Sequence, residues 1–245
     1  MFNEKSKCPA RMWSPDLMTR SFVCGLALSL SCLAPVHAQD RGVIYAGGGA
    51  GDGAGGYAGG LLALPGNSLG NGLAIRAGIN GGTYRYRSSE RIEATYVGAE
   101  IALVYQMSGD WGWANISAGP RITDTDLDPN DLGNKLRGTR FDAGLQTDGA
   151  LGNQWRLGWF GSWGVRNESY IGQLRLTRLV SASSGTRIGL EGILQGDPTY
   201  TRASLGGHAA TPLGKGWEGQ ISAGASEQAG RKARPYVSLG VSRIF

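Results

Sequence analysis

Residues 154–166, QWRLGWFGSWGVR, place Trp155, Leu157, Trp159, Gly161, Trp163 and Val165 at alternate positions, with Gln154, Arg156, Gly158, Phe160, Ser162, Gly164 and Arg166 between them. A period of two is the pattern of a strand with two unlike faces. A helix over the same residues would have to hold Gly158, Gly161 and Gly164, each costing about 0.8–1 kcal/mol relative to alanine. It would also scatter Arg156 and Arg166 over different faces. The segment predicts a strand with tryptophans at both ends of its apolar side.

The same alternation recurs along the chain. Leu73, Ile75, Ala77 and Ile79 oppose Arg76 and Asn80, and Val97, Ala99, Ile101, Leu103 and Tyr105 oppose Gly98, Glu100, Ala102 and Val104. Phe141, Ala143 and Leu145 oppose Arg140, Asp142, Gln146 and Asp148, while Ile188, Leu190 and Leu194 oppose Arg187 and Glu191. Ala203, Leu205 and Ala209 oppose Arg202, Ser204 and His208, and Trp217, Ile221 and Ala223 oppose Glu218, Gln220 and Ser222. One such strand would suit a soluble sandwich or lipocalin. Twelve of them, at about 41–48, 55–64, 71–83, 92–106, 111–121, 138–149, 154–166, 169–180, 186–195, 199–210, 216–227 and 235–245, predict an all-β, antiparallel, up-and-down transmembrane barrel, apolar outside and polar inside. At 111–121 the faces stay open, because Trp111 and Trp113 lie out of phase with Ala114, Ile116 and Ala118.

An even count returns the C-terminus to the side where the N-terminus began. The connectors 65–70, 107–110, 150–153, 181–185 and 211–215 fall on that side and are short. The opposite side holds the longest and most polar connector, 122–137 (ITDTDLDPNDLGNKLR). The chain ends in RPYVSLGVSRIF, with Phe245 in phase with Val237, Leu239 and Val241, which resembles the signal read by barrel-assembly machinery. Arg243 shares that phase and would snorkel to the interface.

Composition narrows the picture. Glycine supplies 42 of 245 residues without a G-X-Y period, and seven Trp, nine Tyr and five Phe argue against disorder. Four basic residues precede an apolar run from Phe22 to Leu33 and a Val-His-Ala cleavage pattern ending at Ala38. Residues 1–38 therefore read as a secretory signal peptide and 39–245 as the barrel. All three cysteines precede the cut, so the mature chain has no thiol chemistry. It keeps a net charge of +3, too weak a balance to suggest a nucleic-acid partner. No later apolar run reaches the 18 or so residues of a membrane helix.

The face expected to line the lumen carries Arg76, Asn80, Glu100, Arg140, Asp142, Gln146, Arg156, Arg175, Arg187, Glu191, Arg202, His208 and Glu218. These charges either pair and plug the bore or line a hydrated conduit; twelve strands permit both. Tyr96, Phe160 and Tyr200 on the same face could stack on sugar rings. Trp155, Trp159, Trp163 and Trp217 are expected on the lipid face or at its interfaces. His208 is the one histidine left after cleavage, so a histidine-based metal site cannot be built. It resembles the base of a lipid acyl hydrolase, but Ser204 lies four residues along the same strand, roughly 13 Å away. A serine partner would have to come from a neighbouring strand. Asp124, Asp126, Asp128 and Asp131 offer oxygens for calcium but lack the glycine and glutamate of an EF-hand. The run GGGAGDGAGGYAGG lacks the Lys-Ser/Thr of a phosphate loop. No cofactor is implied.

The glycine-rich first hairpin GVIYAGGGAGDGAGGYAGGLLAL, the segment LDPNDLGNKLRGTRFDAGLQ, the segment RIGLEGILQGDPTYTRASLGGHA and the ending LGVSRIF together resemble the cellulose biosynthesis protein BcsS family over about 42–245. The resemblance implies an outer-membrane barrel without catalytic residues, acting in cellulose synthesis or secretion as a glucan conduit or as an anchor of the export machinery. Its partners would be outer-membrane lipids, the barrel-assembly machinery, cellulose synthase or export components, and the β-glucan. The other readings are a general small-solute porin or structural barrel, and a lipid-modifying barrel enzyme.

Overall fold

Twelve antiparallel strands close on themselves in a computed structural model that describes residues 40–229 and 231–245; the expected signal peptide lies outside these residues. They are β1 (Gly42–Ala50), β2 (Ala54–Ala63), β3 (Gly72–Arg87), β4 (Arg91–Gly109), β5 (Gly112–Asp128), β6 (Gly138–Leu151), β7 (Trp155–Gly164), β8 (Tyr170–Ser181), β9 (Thr186–Asp197), β10 (Tyr200–Gly214), β11 (Trp217–Gln228) and β12 (Arg234–Ile244). Each pairs with its neighbours in sequence, and β1 pairs with β12 from Val43↔Ile244 to Ala50↔Val237. Beyond that ladder the Phe245 carbonyl accepts from the backbone N–H groups of Arg41 and Gly42, and the Phe245 N–H donates to Gly42 O at 3.0 Å. Closure leaves no edge strand, the condition for a sheet to sit in lipid. The first and last described residues, Asp40 and Phe245, lie at one rim, called terminal below, and the connector 129–137 lies at the other, the distal rim.

The outer face carries an apolar belt. On β4 it runs from Val97, 60% exposed, to Tyr105, 54% exposed, about 26 Å along a strand at roughly 3.3 Å per residue. Tilted by about 35–45°, that gives a height near 20 Å, comparable to the roughly 25 Å band of membrane barrels. On β7 the belt runs from Trp155 to Trp163, both exposed on the outer face. Trp159 lies along the wall, its Nε1 donating to Thr147 Oγ1 at 3.2 Å, in the space left by its register partner Gly149.

The wall is tallest at β3, β4 and β5, with 16, 19 and 17 residues against 9 in β1 and 10 in β7. This corrects the expectation of a 122–137 loop. Residues 122–128 continue β5, with Thr123, Thr125 and Leu127 on the inner side and Asp124, Asp126 and Asp128 exposed outside. Above the belt the outer face meets water, so the polarity of the alternation changes and the aspartates read as loop. The true connector is 129–137. β10 likewise continues through a bulge at Pro212 to Gly214, which leaves only 215–216 as the turn expected at 211–215. In β5 the phase left open resolves with Asn115 and Ser117 buried and Ile116 exposed.

Glycine in the first hairpin makes room for rings. Tyr45 pairs with Gly59 and Tyr57 with Gly47, and a Cβ on either glycine would collide with the tyrosine across from it.

Candidate functional site

The bore is filled in layers. At mid-height, Glu191 of β9 is completely buried. Its Oε2 accepts from Arg175 Nε at 2.6 Å, Gln173 Nε2 at 2.9 Å and Ser222 Oγ at 3.0 Å, and its Oε1 accepts from Tyr236 Oη at 3.1 Å. Arg175 Nη1 donates onward to Gln220 Oε1 at 2.8 Å. A carboxylate so buried is tolerated only because donors surround it.

His208 belongs to this cluster: its Nδ1 lies 2.9 Å from Ser222 Oγ, its direct register partner on β11. Ser222 gives its hydroxyl hydrogen to Glu191, so it accepts from His208 Nδ1–H. That polarity is the reverse of a base activating a serine. The adjoining cavity measures about 10 Å³, room for no more than about one water. Ser204, the sequence candidate, donates instead to Ser226 Oγ at 2.9 Å.

A second network lies against β3 to β7. Arg76 Nη2 donates to Ser117 Oγ at 2.6 Å, and its guanidinium lies 3.6 Å from both Glu100 and Asp148. Glu100 also accepts from Arg121 at 2.9 Å and Gln146 at 2.7 Å, and Asp148 accepts from Asn115 at 2.9 Å. Toward the terminal rim the inner face turns apolar: Val43, Leu61, Ala74 and Val104 pack with Leu69, which folds in from the connector 64–71 and is 8% exposed. Leu69 is held there by its N–H donating to Asp40 O at 3.2 Å.

Toward the distal rim the bore opens into a vestibule of about 260 Å³. Asn80, Tyr96, Arg140, Phe160 and Tyr200 line it, with Arg76, Glu100 and Asp148 below. Tyr84 and Tyr200, from different sides of the barrel, meet with ring centroids 5.0 Å apart, and Tyr96 packs on Tyr84 at 6.2 Å. The connector 129–137 leans over this wall, where Tyr86 Oη donates to Asp131 Oδ2 at 2.9 Å and accepts from Asn134 Nδ2 at 2.8 Å. Asp131 turns inward while Asp124, Asp126 and Asp128 point out along β5, so the four carboxylates do not converge.

The remaining sequence candidates are scattered among these layers. Asp142 is buried and accepts from the N–H groups of Arg166 at 2.7 Å and Asn167 at 3.4 Å, clamping the β7–β8 connector. Arg187 donates to Asn153 O and lies near Glu218, and Arg156 is buried close to the terminal rim. Arg202 lies 5.7 Å over the Tyr200 ring. Outside, at the terminal rim, Arg178 covers Trp155 at 5.7 Å and Arg243 covers Trp217 at 5.5 Å, both across register pairs. Phe245 is half exposed beside Gly42. The sequence reading missed Tyr84 and Tyr86 because it ended β3 at 83; continuing its period would have put both on the Arg76 face. Leu69 carries no periodic signal, since it lies in a turn.

The fold resembles several solved barrels at low sequence identity. The KdgM porin aligns over 83% of this chain and 99% of its own at 11% identity and a TM-score of 0.42. The translocator domain of the autotransporter NalP from Neisseria meningitidis aligns over 84% and 88% at 13% identity and a TM-score of 0.44. Among curated proteins no sequence matches. A family model described as cellulose biosynthesis protein BcsS matches residues 43–245, from the first strand to the last residue. The chain therefore belongs to the cellulose biosynthesis protein BcsS family.

Proposed function

We propose that this protein is a non-enzymatic barrel of the bacterial outer membrane that serves cellulose secretion as an anchor of the export assembly rather than as a conduit for the glucan. Family membership supports the link to cellulose, and the apolar outer belt supports a place in lipid. The observation that carries the choice of anchor over conduit is the filled bore. From the Glu191 and Arg76 networks to the Leu69 cap, side chains occupy the cross-section that a polymer would need. The same filling speaks against a general porin. The inverted Ser222–His208 polarity and the water-sized cavity beside it speak against a lipid-modifying enzyme.

Partners on this reading are outer-membrane lipids, the barrel-assembly machinery and cellulose synthase or export components docked at a rim. In planar bilayers the purified barrel should give no steady ion steps; sustained conductance would return the conduit or porin reading. In a deletion strain, secreted cellulose should fall and be restored by the gene. Unchanged secreted and cell-retained polymer would remove the cellulose role.

A further inference from the structure

We infer that the distal vestibule is a binding site for the end of an uncharged β-glucan chain, held by stacking on its aromatic wall. The inference rests on the cellulose reading above and names the ligand of this barrel. A β-linked glucan presents apolar C–H faces and a rim of equatorial hydroxyls, so its site needs flat rings beside short-range donors and acceptors. The vestibule supplies both. Tyr84, Tyr96 and Tyr200 form a contiguous ring wall, and Phe160 enters from β7. Asn80 and Gln195 stand in the same lining. Rings with two rotatable bonds offer large contact area at small entropic cost.

Charge selects against an acidic sugar. Arg76, Arg121 and Arg140 in the lining are matched by Glu100, Asp148 and Asp197. Arg121 is already committed to Glu100 at 2.9 Å. With three charges of each sign the lining has no net positive charge to draw a carboxylate or phosphate, and its charged groups still offer donors and acceptors to hydroxyls. These charged groups also make the lining unfit for an acyl chain.

Size and position set the form of the ligand. The cavity, at about 260 Å³, falls just below the roughly 300–1,000 Å³ of drug-sized pockets. Below it the bore is occupied by the Arg76 network and the Leu69 cap. A chain end can enter from the distal rim, but a threaded polymer cannot continue.

Cellotetraose titrated calorimetrically into the folded, full-length barrel in nanodiscs tests this. Saturable binding is expected, weakened about tenfold in Phe160→Ala and restored in Phe160→Tyr. A galacturonic-acid tetramer should bind at least about tenfold more weakly. Absence of cellotetraose binding to folded barrel, equal affinity in Phe160→Ala, or equal affinity for the acidic oligomer would overturn the site. Equal affinity for maltotetraose would overturn its assignment to β-glucan. The two readings fail separately. A deletion strain rescued equally by wild type and Phe160→Ala, with no binding in vitro, removes the site and keeps the cellulose role. Binding without any cellulose phenotype upholds the site and removes the role.

Discussion

Tyr84 of β3 and Tyr200 of β10 meet across the bore with ring centroids 5.0 Å apart, although neither strand neighbours the other in the sheet. Contacts of this kind tie opposite walls together where the backbone ladder cannot. Tyr84 also packs on Tyr86 and Tyr96. Tyr84→Ala should therefore destabilise the barrel by about 3 kcal/mol, the scale of large aromatic truncations. Tyr84→Phe, which keeps the ring and loses only the hydroxyl, should cost no more than about 1 kcal/mol. Reversible urea unfolding in lipid vesicles reads both; equal stability of Tyr84→Ala and wild type would show that the wall carries no packing energy.

Glu191 makes a second, sharper prediction. Its removal leaves the Arg175 guanidinium buried without its carboxylate, a loss of about 3–5 kcal/mol. Glu191→Ala should lower the midpoint of heat-induced mobility shift on gels far more than His208→Ala, which removes one neutral hydrogen bond at the edge of the cluster. Similar midpoints for the two variants would contradict the central place given to Glu191.

The belt can be mapped by arginine. Ile101 lies midway between Val97 and Tyr105, and Ile101→Arg should cost about 2–4 kcal/mol in a bilayer. Thr95→Arg, one outward position beyond Val97 on the same strand, should cost at most about 1 kcal/mol. Unfolding in vesicles would place the belt elsewhere if the order were reversed.

At the seam, deleting Phe245 removes the carbonyl that receives Arg41 and Gly42 together with the terminal aromatic ring. The folded, heat-modifiable band in outer-membrane fractions should drop several-fold. Arg243→Ala, which loses an exposed cation–π contact with Trp217 worth about 0.5–1 kcal/mol, should leave the band nearly unchanged.

Trp155, Trp159 and Trp163 show how far local pattern reaches. Their alternation with Arg156 and Phe160 fixed a strand, and its recurrence fixed twelve strands and a barrel, because period and count are properties of the chain alone. The pattern failed where the solvent changed. Asp124, Asp126 and Asp128 stand on the outer face of β5 beyond the belt, where water makes a polar residue as fitting as isoleucine is lower down. Nothing local marks that boundary.

The sequence by itself thus determined the number and order of the strands, the closed topology and, outside 111–121, which residues share a face, since all of these follow from two-residue periodicity and an even strand count. Tertiary structure alone decided what occupies the bore. Whether Glu191 meets Tyr236, whether His208 donates a hydrogen bond to Ser222, and whether Leu69 folds in as a cap depend on strand register and cross-lumen distances. Register follows from every ladder at once, so no single segment of the chain encodes it.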